Sequence, residues 1–171
     1  MDLSEMEQTF IKLIKIESVT PGKNEIEAIR YLEGIINAHG LPYEILKEEE
    51  EHPNLLTRIK SAAPVKPPLV LISHIDVVGA RPEKWRYPPF GGEIHEDRIF
   101  GRGTLDTKQL TVMELYSFLN LIPEKEQLLC DVYFLASANE EGGSRYGMEY
   151  IKKLRPDFFA GKLVINEGGG F

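Results

Sequence analysis

Apolar residues recur near a helical period in two segments at the start of the chain, which predicts two amphipathic helices. The first is predicted over Ser4–Ile16, and its inner face consists of Phe10, Leu13, Ile14 and Ile16. The second begins after Asn24 as the capping residue, and its inner face consists of Ile26, Ile29, Leu32, Ile35 and Ile36. It ends at His39-Gly40, because glycine suits the left-handed position that follows a helix.

Short apolar runs alternate with helical patterns along the rest of the chain. The predicted strands are Tyr43–Leu46, Leu55–Ile59, Leu69–Ile72, Asp131–Ala136 and Leu163–Ile165. Helices are predicted over Thr107–Leu121 and Ser144–Leu154, with a hairpin formed by 92–94 and 98–100. Such alternation is typical of an α/β protein, so we predict a three-layer αβα fold with a mostly parallel central sheet and helices on both faces.

Composition excludes some classes of protein without changing this picture. The chain has 171 residues, of which 42% are hydrophobic and 27% charged, and these values are typical of one soluble domain. Its net charge of −7 argues against nucleic-acid binding, which requires a basic face. No apolar run approaches the about 18 residues of a membrane span, and the first residues do not resemble a signal peptide. We therefore expect no nucleic acid, no membrane and a cytoplasmic location.

Polar clusters follow three of the predicted strands, and a fourth cluster opens a predicted helix. They are Ser73-His74-Ile75-Asp76, Asn139-Glu140-Glu141-Gly142, Asn166-Glu167-Gly168 and, before the helix, Gly101-Arg102-Gly103-Thr104-Leu105-Asp106. Imidazole and carboxylate groups collected at neighbouring strand ends are typical of divalent-metal sites in α/β proteins. Taken together, the clusters predict such a site.

His74 and Asp76 are two residues apart, so on an extended segment their side chains point the same way. The carboxylate of Asp76 could then orient the imidazole of His74, which is what metal-binding histidines require. The alternative is a polar turn after a strand.

Glu140 and Glu141 are adjacent carboxylates that would repel each other at a strand end unless a cation lies nearby. A division of roles fits this pair, in which one glutamate binds metal and the other is the general base for a water. The alternative is a favourable acidic first turn of a helix that begins near Ser144. Asp106 could likewise only cap its helix, and Glu167, which precedes three glycines, could belong to a frayed end.

The order and spacing of these clusters resemble the dinuclear zinc peptidases and deacylases that include aminoacylase-1, acetylornithine deacetylase, succinyl-diaminopimelate desuccinylase, carboxypeptidase S and carnosinase. The resemblance runs from Leu69 to Gly169, and it is carried by the segments 73–78, 85–92, 99–108, 139–143 and 166–169. It implies a zinc-peptidase-like fold and the zinc-dependent hydrolysis of an amide bond in N-acyl amino acids or short peptides. An alternative within the same metal-binding fold is a related aminopeptidase with the same arrangement of ligands. The motifs that end the segments 101–108 and 167–169 favour the branch of aminoacylase and carboxypeptidase S.

The resemblance also implies a role for each matching residue. The implied metal ligands are His74, Asp106, Glu141 and Glu167, and the implied catalytic residues are Asp76 and Glu140. In this scheme Asp106 bridges two zinc ions, Asp76 orients His74, and Glu140 is the general base. Cobalt or manganese could replace zinc, since carboxylate-rich sites accept several metals. In the family, the peptide bond after the bridging aspartate is often cis.

Members of this family continue with a smaller lid or dimerisation domain and with a return segment that supplies a late histidine to the second zinc. We expect residues 1–171 to be a partial catalytic domain, with the lid and the C-terminal part of the catalytic domain absent. The remaining histidines, His39, His52 and His95, match no ligand position. The central sheet is then expected to lack strands and to leave an apolar edge uncovered.

Two functional hypotheses remain open from the sequence. In the first, the chain belongs to an enzyme that acts on a small-molecule or dipeptide substrate. In the second, it is a non-catalytic fragment or half-enzyme that binds one metal at most and needs a complementing chain or forms a homodimer. Metal content per chain and turnover of N-acyl amino acids and dipeptides distinguish them.

Overall fold

The computed structural model of this chain describes residues 4–22 and 24–168. The helices are α1 (Glu5–Lys15), α2 (Glu25–Ala38), α3 (Lys108–Leu119) and α4 (Met148–Leu154). The strands are β1 (Tyr43–Leu46), β2 (Asn54–Ile59), β3 (Leu69–His74), β4 (Glu93–His95), β5 (Arg98–Phe100), β6 (Val132–Ser137) and β7 (Leu163–Ile165). The glycines at 169 and 170, which could form a frayed end, lie outside the described residues.

Within the described residues, five strands form one sheet in the order β1-β2-β6-β3-β7, and β4 and β5 form the predicted hairpin. The strands β6, β3 and β7 run parallel, whereas β1 and β2 are joined to them by antiparallel pairing. The predicted α/β fold is confirmed, although the sheet is mixed. The link between β1 and β2 is too short for the crossover that a parallel pair requires, so this pair is a hairpin.

Helices cover both faces of this sheet, as predicted. On one face, α1, α2 and α3 enclose a core that includes Leu32, Phe118 and Phe134. On the other face, Ile151 of α4 packs with Val70 and other apolar side chains. Strands β3 and β6 are therefore buried on both faces, which explains their almost continuous apolar sequences. No helix in the described part of the chain has the length and apolar character needed to cross a membrane.

The fourth helix begins later than predicted. It starts at Met148 and not near Ser144, and the residues between β6 and α4 form turns. Asn139 and Ser144 have φ angles of 59° and 60°, which are left-handed and cannot continue a right-handed helix. Glu140 and Glu141 consequently lie in a turn well before the helix, so the explanation of this acidic pair as a helical first turn is wrong.

The inner face of α2 also differs from the prediction. Ile26 and Ile35 are only partly buried, whereas Glu25 is completely buried. Asn24 stands at the N-cap, but with φ 76° its side chain makes no capping hydrogen bond within the described residues. Gly40 adopts the predicted left-handed conformation after the helix, with φ 67°.

Strand β7 is one of the two edge strands of the sheet that the described residues form. Its residues Leu163, Val164 and Ile165 are 63%, 40% and 46% exposed. Among the described residues, β7 pairs only with β3. The expected uncovered apolar edge is therefore present.

Candidate metal site

The carboxyl ends of the parallel strands bring the predicted residues to one corner of the molecule. His74 is the last residue of β3 and pairs with Ser137, the last residue of β6. The turn at 139–141 follows β6, and Glu167 follows β7. Asp106 reaches the same corner from the loop before α3. Clustering at the carboxyl edge of parallel strands is the common location of sites in α/β proteins.

The imidazole of His74 is the centre of this cluster. Its Nε2 lies 3.1 Å from Oδ1 of Asp106 and 3.4 Å from Oε2 of Glu167. Oε2 of Glu140 is 3.9 Å from the same nitrogen. The side chain of His74 is buried, whereas those of Asp106 and Glu140 are largely exposed. The histidine thus forms the floor of the site, and the carboxylates form its rim.

The other ring nitrogen of His74 is held by Asp76. Nδ1 lies 2.9 Å from the backbone oxygen of Asp76 and 3.4 Å from its Oδ1. When Nδ1 donates its proton there, the lone pair of Nε2 points toward the rim carboxylates, as a metal ligand requires. Nε2 and one oxygen each from Asp106 and Glu167 all lie within 4.8 Å of one another. This donor set fits a divalent metal ion.

The electrostatics of the cluster also favour a cation. Burial lowers the pKa of His74, but hydrogen bonding and charge from Asp76, together with the charges of Glu167 and Glu140, outweigh it and raise the pKa to about 9. Burial raises the pKa of Glu140 and of Glu141, and the neighbouring carboxylates contribute to both increases. The corner therefore holds more negative charge than its one imidazole can neutralise.

Asp76 connects His74 with the acidic turn. Its Oδ1 accepts a hydrogen bond of 3.0 Å from the backbone N–H of Glu140, and its Oδ2 accepts one of 3.1 Å from that of Glu141. Burial would raise the pKa of Asp76, but the imidazole of His74 and the amide of Glu140 lower it below its ordinary value. The sequence predicted that Asp76 would orient the histidine, but it did not predict that the same carboxylate would also hold the turn.

Glu141 lies outside the three-residue group of His74, Asp106 and Glu167. Besides burial, the charge of Asp106 raises the pKa of Glu141. The other described histidines have different surroundings. His39 contacts the end of α2, His52 contacts Glu25, and His95 contacts Glu93.

Lys108 is a residue that sequence reasoning missed. It is completely buried, and its Nζ donates hydrogen bonds to the backbone oxygens of Leu13 and Ile16, at 2.9 and 2.8 Å. It thereby attaches the start of α3, and with it the loop of Asp106, to the end of α1. The sequence did contain a sign of this role. A cation in the first turn of a helix interacts unfavourably with the helix dipole, so its presence there indicates a stabilising tertiary contact. The peptide bond between Asp106 and Thr107 is cis, as the resemblance implied.

Comparison with known proteins decides the family. Residues 70–171 match the model of peptidase family M20/M25/M40. The chain belongs to this family. The resemblance inferred from the motifs is therefore confirmed.

Similarity to individual members of the M20 family extends beyond the matched segment. A probable succinyl-diaminopimelate desuccinylase of Staphylococcus aureus is 32% identical over 139 residues, which are 81% of this chain and 33% of the relative. A succinyl-diaminopimelate desuccinylase of Rickettsia bellii is 33% identical over 155 residues, covering 85% of this chain and 38% of the relative. The crystal structure of an M20 metallo-carboxypeptidase from Sulfolobus solfataricus superposes with a TM-score of 0.81 at 28% identity, over 99% of this chain and 38% of that one. The chain thus spans little more than a third of the length of these relatives.

Proposed function

We propose that this M20-family chain carries the metal-binding part of a hydrolase that cleaves the amide bond of N-acyl amino acids or short peptides. The observation that supports this most is the convergence of Nε2 of His74 with oxygens of Asp106 and Glu167, all within 4.8 Å. Zinc is the proposed metal, with cobalt or manganese as substitutes, because imidazole and carboxylate ligands suit all three. In this proposal residues 1–171 are part of a catalytic domain.

The proposed metal ligands are His74, Asp106, Glu141 and Glu167. Asp106 would be shared by two ions, as the family resemblance implies, and its Oδ1 lies 3.1 Å from Nε2 of His74. Bound divalent cations would supply Lewis acidity, which withdraws electrons from the substrate carbonyl and makes a nearby water easier to deprotonate. Asp76 would keep the imidazole of His74 in the orientation that the metal needs.

Glu140 is the proposed general base. Its side chain is 45% exposed and lies beside the cluster, so a water and a substrate could reach it. In hydrolysis it would take a proton as water adds to the carbonyl carbon, and it would return that proton to the amine nitrogen as the C–N bond breaks. The raised pKa of Glu140 suits the first step, because a stronger base accepts the proton more readily.

The names of the relatives support this substrate class. The two desuccinylases are named for the removal of a succinyl group from succinyl-diaminopimelate, and the Sulfolobus solfataricus protein is named a metallo-carboxypeptidase. We therefore propose a small N-acyl amino acid or a dipeptide as the substrate.

A matched pair of variants tests the proposal. Wild type, Glu140→Gln and the exposed control Glu126→Gln are titrated with zinc, and turnover is measured on N-succinyl and N-acetyl amino acids and dipeptides. We expect the same number of bound zinc ions per chain in all three proteins, equal turnover in wild type and control, and a loss of turnover of about 100-fold or more in Glu140→Gln. Failure of the wild type to bind zinc would contradict the proposal.

A second candidate function is a half-enzyme that is completed by another chain. The exposed apolar edge of β7 favours it, because Glu167 follows this edge strand and depends on it for its position. One zinc per chain without turnover, together with self-association or gain of activity on adding a second chain, would favour this candidate. Sedimentation analysis with and without zinc provides the measurement.

A further inference from the structure

A buried acidic residue on α2 lies behind the candidate metal site. Glu25 is 0% exposed although it belongs to the first turn of the helix. Its position precedes Ile29, Leu32 and Ile36 by four, seven and eleven residues, so it lies on the same inner stripe. Sequence reasoning assigned that stripe to apolar residues alone, and an acid in register with them was the signal that it passed over.

The two oxygens of the Glu25 carboxylate have different partners: one contacts side chains, and the other accepts a hydrogen bond from the backbone. Its Oε1 accepts a 2.6 Å hydrogen bond from the hydroxyl of Thr20 and lies 3.1 Å from Nδ1 of His52. The ring of His52 stacks on that of Tyr146, with centroids 4.6 Å apart. Oε2 accepts a 3.1 Å hydrogen bond from the backbone N–H of Asn139. One oxygen is thus held by the hydroxyl of Thr20 and lies beside His52, while the other accepts the hydrogen bond from the turn after β6.

Two buried carboxylates together hold three successive backbone amides. Glu25 accepts from Asn139, and Asp76 accepts from Glu140 and Glu141. Asn139 has the left-handed φ of 59°, a conformation that asparagine adopts more readily than most other residues. The turn is therefore held by Glu25 and Asp76 in addition to its own backbone hydrogen bonds, which the N–H of Gly143 donates to Glu140 and the N–H of Ser144 donates to Asn139.

Close packing adds to this hold. A Cβ atom at Gly142 would lie 2.3 Å from Nδ2 of Asn139 and 2.6 Å from Cγ2 of Thr20. The turn thus lies directly against the segment that anchors Glu25, without room for a methyl group. A shift of Glu25 would consequently be transmitted to the turn.

Burying an acid in this place has a cost. Burial raises the pKa of the Glu25 carboxyl above its ordinary value, while the hydrogen bond from Thr20 opposes that change. Replacing buried, paired charges with apolar side chains of similar volume is often neutral or stabilising. Its partners here are the amide of Asn139 and groups that orient it toward that amide.

We propose that Glu25 is a positioning residue of the candidate metal site. Through the amide of Asn139 it fixes the turn that carries Glu140 and Glu141, and it thereby sets where their carboxylates stand relative to His74. Glu25 itself contacts neither the metal nor the substrate. The inference rests on the proposed function only where it gives Glu140 and Glu141 a role at the metal. Whether Glu25 holds the turn is tested independently of that function.

Two variants of nearly the same size as glutamate separate the effect of losing the hydrogen-bond acceptor from the effect of changing the volume of the side chain. Glu25→Met removes both oxygens, whereas Glu25→Gln keeps one oxygen for the amide of Asn139 and turns its NH2 toward Thr20 and His52. The control is Glu27→Gln, which removes an exposed acid from the same helical turn. Thermal melting verifies that each variant is folded.

Amide hydrogen exchange, followed by NMR on the metal-free protein, is the first readout. In Glu25→Met we expect the amides of residues 139–141 to exchange about tenfold faster, because a buried hydrogen bond is lost, while the amide of Phe134 in β6 remains protected. In Glu25→Gln the rates should stay within about threefold of wild type, and in Glu27→Gln they should not change. A folded Glu25→Met with wild-type exchange in the turn would overturn the proposal.

Zinc affinity, measured by calorimetry, is the second readout. Glu25→Met should weaken zinc binding about tenfold, as the loss of other supporting residues around metal sites does, and Glu25→Gln should restore it. If the wild type bound no zinc, the proposed function would fail while the exchange data still decided the role of Glu25. If Glu25→Met did not fold, Thr20→Val would replace it, with about threefold faster exchange at Asn139 expected and unchanged exchange overturning the proposal.

Discussion

The two sides of the candidate metal site differ in how firmly the fold holds them. His74 ends β3, which is paired on both edges and covered on both faces. Glu167 follows β7, an edge strand of three residues that are all exposed. The histidine side of the site is consequently preorganised by the core, whereas the position of Glu167 depends on one strand pairing. Because of this difference, we expect His74 at the end of β3 to contribute more to zinc affinity than Glu167 after β7.

The largest effect should come from truncating matched side chains in the two strands. Ile72 of β3 is 4% exposed, and Ile165 of β7 is 46% exposed. Ile72→Ala should lower the free energy of unfolding by about 3 kcal/mol, since it removes buried methyl groups and leaves a cavity. Ile165→Ala should cost less than about 1 kcal/mol, because its side chain already meets water. Urea denaturation measures both, and equal losses would erase the distinction between the two regions.

Zinc affinity should show the same asymmetry. His74→Ala should weaken binding by more than about 100-fold, because the buried ligand and its orientation by Asp76 are lost together. Glu167→Ala should weaken it by about tenfold, since its carboxylate is held only at the edge. Calorimetric titration compares them, with Glu126→Ala as the exposed control. A larger loss for Glu167 than for His74 would show that the edge dominates.

Glu114 on α3 provides a smaller, pH-dependent test of the region between these sides. It is 5% exposed, and burial raises its pKa to about 7 against the opposing effects of Ser73 and of the backbone of Ile72. As pH rises, the unfolded chain therefore loses the Glu114 proton near the ordinary pKa of glutamate, whereas the folded state keeps it until about pH 7. The contribution of Glu114 to the free energy of unfolding should therefore fall as pH rises from about 4.5 to about 7 and then level off.

Replacing the carboxyl of Glu114 should remove that dependence. At pH 8, Glu114→Gln should be more stable than wild type by about 2 kcal/mol, because no charge is buried. Near pH 4.5 the two proteins should agree within about 0.5 kcal/mol, since both side chains are neutral. Urea denaturation at the two pH values is the measurement. If the variant kept the wild-type slope between them, Glu114 would not be the buried acid responsible.

Local patterns predicted the elements well, and non-local contacts account for what they missed. The bounds of β1 and β7 match the apolar runs, since a short strand shows in its own sequence. The late start of α4 depends on the left-handed turn at Asn139, and that turn is held by Glu25 from more than a hundred residues earlier in the chain. A periodicity cannot show such a hydrogen bond.

The candidate site divides in the same way. The acidic clusters and His74 are visible because metal chemistry restricts the types of residue and their spacing. Lys108 and Glu25 are not visible as such, because each acts on backbone groups that the fold brings to it. Both nevertheless broke a local rule, one as a cation at a helix start and the other as an acid on an apolar stripe. Residues of this kind mark where tertiary contacts override local preference.

Anomalous diffraction from crystals grown with zinc tests the central claim most directly. The account predicts a peak at about 2.0–2.2 Å from Nε2 of His74 and from carboxylate oxygens of Asp106 and Glu167. Peaks that lie only elsewhere, with this corner empty at saturating zinc, would contradict it.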